Sequence, residues 1–248
     1  MGFRFAHWEL LALLLCGCGA VDSRSTERFT ANGEIIAMSG GDAGATNACF
    51  TCHGLDGRGD GAGVPRLAGL PLGYLNAQME DYAGGLRQHP RMQYIGRNLS
   101  HRDRQAVAAY YAAMPFEAAG PDSRSPSAGA ALYLQGDPAR GLQACADCHG
   151  LQGQGIGAAN PPLGAQPPAY LAQQLDLWRL GKRRNDPDNL MLQISRLLAP
   201  AEVAAVAAYA GVLPGGPPSP GSREALPTGR RGATRSDASV QRPHEAAQ

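Results

Sequence analysis

Two short runs of this chain pair thiols with an imidazole: Cys49-Phe50-Thr51-Cys52-His53 and Cys145-Ala146-Asp147-Cys148-His149. Two cysteines three positions apart with histidine next in line form the covalent attachment pattern of a c-type haem. The thiols add across the vinyl groups of the porphyrin, and the histidine becomes an axial ligand of the iron. Holding a flat ring at two points with an imidazole under its metal requires all three residues on one turn of chain. Cys49, Cys52, Cys145 and Cys148 are therefore the candidate tethers of two covalently bound haem c groups, and His53 and His149 the candidate iron ligands.

Zinc is the main rival for paired Cys-x-x-Cys motifs. A zinc ribbon would space the pairs by about 15–20 residues, whereas 92 residues separate Cys52 from Cys145. Zinc would also leave the two following histidines unexplained, and a thioredoxin-type dithiol fails on the same grounds.

The motifs sit inside a longer internal repeat, which makes the unit a domain. An offset of 96 residues aligns Gly33 with Gly129, Ile36 with Leu132, Pro65 with Pro161, Tyr74 with Tyr170 and Gln78 with Gln174. A three-residue insertion then moves the offset to 99, aligning Met92 with Met191, Ile95 with Ile194 and Tyr110 with Tyr209.

That alignment bears on the second axial position. Histidine alone leaves iron open to gases or peroxide, while an added methionine closes it and raises the potential. Methionine more often fills gaps in a core, which suits Met79 and Met114, aligned with Leu175 and Leu213. Met92 and Met191 are the only methionines matched to each other, so they are the candidate sixth ligands, 39 and 42 residues after their histidines. His89, three residues before Met92, is a competing ligand for the first iron; the second half has no counterpart.

The elements that position these residues read as helices, with few or no strands. Helical segments are expected over residues 33–40 and 127–136, over 74–82 and 170–180, and from near Ser100 and Pro200 onward. Ser100 with Asp103 three residues later forms a capping signal, and Pro200 suits a first helical position. Ala37 stands where the second half has Tyr133, so the first helix of the first half is expected to pack less well. The glycine-rich runs after each histidine suit tight loops along a haem edge. They lack the preceding strand and following Lys-Ser/Thr of a phosphate loop. Roughly 85 residues per half build a small apolar core, so the haem must supply much of it.

The first 18 residues read as a secretory signal: Arg4 and His7, a short apolar run from Leu10 to Leu15, then small residues. Leu15-Cys16-Gly17-Cys18 resembles a lipobox, which would make Cys18 a lipidated first residue of a periplasmic, membrane-anchored protein. Ordinary cleavage near Ala20 is the alternative. With Cys16 and Cys18 in the signal and four cysteines on haem, none remains for a disulfide. Residues 115–127 read as a linker between domains at 30–114 and 128–214, and residues 215–248 as a disordered Pro/Gly/Arg-rich tail. A net charge of +1 offers nothing to nucleic acid.

Cys-x-x-Cys-His-Gly-Leu-x-Gly-x-Gly, then a proline before Leu67 or Leu163, then Met-x-x-Ile ahead of an Ala- and Tyr-rich helix, resembles the small single-haem cytochrome c fold. Two such units in one exported chain resemble the di-haem cytochrome c4 family, over residues 30–214. The resemblance implies an all-α fold of two tandem domains, each wrapped around its haem, with the haem edges facing one another. It implies that Pro65 and Pro161 support the proximal histidines through their carbonyls. It further implies an electron carrier whose partners are a quinol-oxidising complex, a dehydrogenase or a terminal oxidase. A dehydrogenase cytochrome subunit and a di-haem peroxidase are the alternatives.

Overall fold

The structure, a computed structural model, describes residues 23–116, 127–157 and 159–215. The expected signal with Cys16 and Cys18, most of the expected linker, and the tail beyond residue 215 lie outside the described residues. Those described are all-α, with isolated bridges in place of strands.

Each half repeats one order of helices. In the first, α1 (Ser23–Ser39) is followed by the one-turn helix α2 (Phe50–His53), then α3 (Leu72–Gly84), α4 (Pro90–Asn98) and α5 (His101–Ala113). In the second the counterparts are α6 (Ser127–Gln135), α7 (Ala146–His149), α8 (Pro168–Arg179), α9 (Leu190–Leu197) and α10 (Pro200–Val212). α1 starts ten residues earlier than expected. The short helices α4 and α9, which carry the candidate methionines, were not expected as helices at all.

Sequence explains the ends of these helices. The Ser100 hydroxyl accepts from the Asp103 amide at 3.2 Å and opens α5. In α10 Pro200 takes the first position, and the Glu202 carboxylate accepts from the Ala199 amide at 2.8 Å. The three-residue insertion of the second half becomes a turn at Pro187–Asn189, with Asp188 and Asn189 at φ 56° and 55°. Asp and Asn tolerate that left-handed region better than most residues.

The first and last helices of each half cross at a glycine. A Cβ on Gly33 would stand 2.1 Å from the Ala106 carbonyl oxygen, and one on Gly129 2.1 Å from that of Ala205. No other residue fits such a crossing. Two apolar cores result, one around Ile36, Leu75, Ile95, Val107 and Tyr111, the other around Tyr133, Leu171, Leu198, Val203 and Val206. Each such side chain taken from water contributes about 1.5–3 kcal/mol.

The expected weakness at Ala37 is accompanied by a compensating difference on the last helix. Position 111, on α5, aligns with Ala210 on α10, so the large and small residues are exchanged between helices: Ala37 with Tyr111, Tyr133 with Ala210. Both tyrosines are buried, at 1% and 0% exposure. Tyr111 meets Tyr110 with ring centroids 5.1 Å apart, and Tyr133 meets Tyr209, the counterpart of Tyr110, at 5.4 Å. The core that holds Ala37 thus contains a buried tyrosine supplied by the last helix.

Candidate haem sites

A cavity of about 910 Å³ is walled by both halves. Seven of the eight candidate site residues line it: Cys52, His53, Met92, Cys145, Cys148, His149 and Met191. Cys49 is half-buried against the first core. Around them the lining is largely apolar, including Leu67, Leu75, Val107, Leu171, Ile194 and Val206, as a porphyrin face requires.

α2 and α7 each carry their histidine on a single turn directly after the cysteine pair. His53 Nδ1–H donates to the Pro65 carbonyl at 3.0 Å, and His149 Nδ1–H to that of Pro161 at 2.9 Å. A carbonyl only accepts, so the proton sits on Nδ1 and the Nε2 lone pair is free for a metal. Burial pushes both imidazoles below their ordinary pKa, with the proline carbonyls opposing, and so favours the neutral, ligating form.

The glycine-rich loops lock this arrangement. Gly59 and Gly155, both at φ 77°, donate their amides at 2.8 Å to the carbonyls of His53 and His149 respectively. A Cβ there would meet the Val64 oxygen at 2.2 Å or the Asn160 oxygen at 2.6 Å. Only glycine allows the loop to fold back on its histidine.

The sulfur atoms of Cys49 and Cys145 are thiols here and stand for the thioether sulfurs of attached haem. Burial pushes each thiol up to about 11. Redox-active Cys-x-x-Cys pairs need the opposite shift, toward thiolate, so these cysteines suit tethering and not dithiol exchange.

Both methionines lie in the first turn of their helices, and in each half the methionine's own amide receives a cap. His89 Nδ1 accepts from the Met92 amide at 3.2 Å. The Asp186 carboxylate accepts from the Met191 amide at 2.8 Å. His89, the competing ligand, thus has one ring nitrogen engaged in positioning Met92.

A layer of polar residues joins the halves and was not anticipated as part of the site. The Arg184 amide donates to Leu86 O at 2.8 Å and the Gln88 amide to Lys182 O at 3.2 Å, around an antiparallel bridge of Arg87 and Arg183. Elsewhere Arg66 and Gln166 bond reciprocally, main chain to amide side chain, both at 3.0 Å. Burial pushes the Arg66 guanidinium down to about 10. Arg87 and Arg183 obey the 96-residue offset, so the repeat carried the signal; what it lacked was the fact that the two meet.

Two oriented imidazoles, each beside a cysteine pair in an apolar cradle, define a protein built to hold two covalent haems. Known proteins agree. A family model described as Cytochrome c matches residues 39–114 and 127–210. The chain is 43% identical over 210 residues to a thiosulfate dehydrogenase electron acceptor of Stutzerimonas stutzeri (strain A1501), covering 82% of this chain and 93% of that protein. It is 37% identical over 180 residues to a cytochrome c4 of Pseudomonas aeruginosa, covering 70% and 90%. A solved thiosulfate dehydrogenase, TsdBA of Marichromatium purpuratum in its as-isolated form, superposes with TM-score 0.68 at 41% identity. The match covers 81% of this chain and 44% of that one, so this chain spans under half of TsdBA. The chain belongs to the cytochrome c family, as a tandem di-haem member of the cytochrome c4 kind, and is an electron carrier with two covalently bound haem c groups.

Proposed function

We propose that this cytochrome performs no substrate chemistry of its own and accepts electrons from a thiosulfate-oxidising dehydrogenase, passing them to a terminal oxidase. Bound haem supplies reversible one-electron exchange. The protein's residues make that exchange selective. His53 and His149 are held by proline carbonyls 3.0 and 2.9 Å away, and Met92 and Met191 by caps on their own amides. With all four as axial ligands, both iron sites are closed to peroxide and small gases. The matched methionine pair carries this reading over a di-haem peroxidase, which needs one open or displaceable position.

The donor is inferred from the likeness to a thiosulfate dehydrogenase electron acceptor and to TsdBA. A fixed subunit of such a dehydrogenase would use the same chemistry, and co-purification with the enzyme separates it from a free shuttle. We place the protein in the periplasm, anchored through a lipid on Cys18, because the lipobox-like Leu15-Cys16-Gly17-Cys18 follows a short apolar run. The mass of the mature N-terminus tests the anchor: an unmodified start near Ala20 would replace it with a soluble protein.

The functional test mixes ferric protein, thiosulfate and catalytic amounts of a thiosulfate dehydrogenase, and follows haem reduction by absorbance. Both haems should be reduced only when the enzyme is present. Turnover of thiosulfate by this protein alone would make it the enzyme. Reduction by a quinol-oxidising complex but not by the dehydrogenase would move the donor.

A further inference from the structure

Arg87 and Arg183 are each only 4% exposed, and both line the cavity that holds the candidate haem residues. Their partners are neutral. Arg87 donates to Gln78 at 2.9 Å in its own half, and to Tyr170 at 2.8 Å and Gln174 at 2.7 Å in the other. Arg183 donates to Asn185 at 2.9 Å and Gln174 at 2.8 Å in its own half, and to Gln78 at 3.1 Å across the junction. Each guanidinium rests on an aromatic ring at matched positions, Arg87 over Tyr82 at 4.7 Å and Arg183 over Trp178 at 3.9 Å. Among the described residues no carboxylate forms an ion pair with either. The nearby Asp81 carboxylate accepts instead from the Asn185 amide at 2.7 Å.

Two buried cations side by side, without anions, are a costly arrangement, because each loses hydration and repels the other. Residues that hold them with neutral acceptors fix their direction and leave their charge for a ligand. The planar fork of arginine matches a carboxylate in geometry as well as charge, and each haem brings two carboxylates, its propionates. We infer that Arg87 and Arg183 are shared counter-ions of haem propionates at the junction of the halves, and that they raise and couple the two reduction potentials. This rests on the di-haem reading above. A cation beside a propionate disfavours the additional positive charge of ferric iron, and each guanidinium contacts residues of both halves, so each acts on both haems.

The test uses the full haem-loaded chain and measures the midpoint potential of each haem by spectroelectrochemistry. Arg87→Gln or Arg183→Gln should each lower both potentials, shifting each reduction equilibrium by about tenfold, or about 59 mV for one electron. Arg87→Lys, which keeps the charge, should retain most of the potential. Unmoved potentials, or a shift confined to one haem, would overturn the inference, even if thermal stability fell as for a merely structural residue. Should the glutamine variants fail to load haem, Gln78→Glu keeps both arginines and sets a competing carboxylate against them. It should lower both potentials as well, and unmoved potentials there would count equally against the inference. The ferric spectra of the same samples distinguish failure of the underlying reading: loss of methionine ligation in the unaltered protein would be seen there, independently of any potential.

Discussion

Under the proposed ligation, the methionine at position 191 decides whether the second iron is a carrier or a catalyst. Met191→Ala should open that haem to carbon monoxide while the first haem stays closed; unchanged carbon monoxide binding would exclude Met191 as the ligand. The eight candidate site residues, seven of which line one cavity, could be named from sequence for a chemical reason. Covalent attachment forces cysteines and histidine to be contiguous, and duplication singled out the methionines by alignment. The proline contacts to His53 and His149 were legible only through the family resemblance, since nothing in an isolated proline tells where its carbonyl points. The caps on Met92 and Met191 escaped notice because two chemically different residues, His89 and Asp186, do the same work. Their equivalence is geometric.

Helices explain why the repeat tolerates divergence. The glycine crossings at Gly33 and Gly129 fix the approach of first and last helix in both halves, with Tyr110 and Tyr209 beside them. The fully buried tyrosine of each core, Tyr111 or Tyr133, comes from the last helix in one half and the first in the other. Tyr133→Ala should cost about 3–5 kcal/mol in denaturant unfolding of the haem-loaded protein. Ala210→Tyr alone should overpack the core and cost about 1–3 kcal/mol. Combined, the two should recover more than half of the Tyr133 loss, because the first half already uses that arrangement. Additive losses would show that the two tyrosines fill different spaces. Sequence reasoning compared position 37 with 133 alone and so missed the exchange; comparing 111 with 210 as well would have revealed it. α4 and α9 were missed because short helices carry few turns of periodicity, and what stabilises them is packing on α3 and α8.

At the scale of the molecule, two small cores flank one cavity of about 910 Å³ whose walls include the buried cations Arg66, Arg87 and Arg183. Without haem those walls would face water or each other's charge, so the chain prevented from attaching haem should be largely unfolded. A cooperative thermal transition in a Cys-to-Ala variant of all four tethers would contradict this. The tandem architecture was legible from the 96-residue offset. The polar junction was not, because long-range pairing of Arg87 with Arg183 depends on how two separately legible units meet. The central claim is that both irons are held by histidine and methionine. It is tested most directly by the ferric absorption spectrum of the purified protein in the far red, where methionine-to-iron charge transfer absorbs weakly. Intensity equal to two methionine-ligated haems is the expected result; half that intensity, or a high-spin signal, would contradict it.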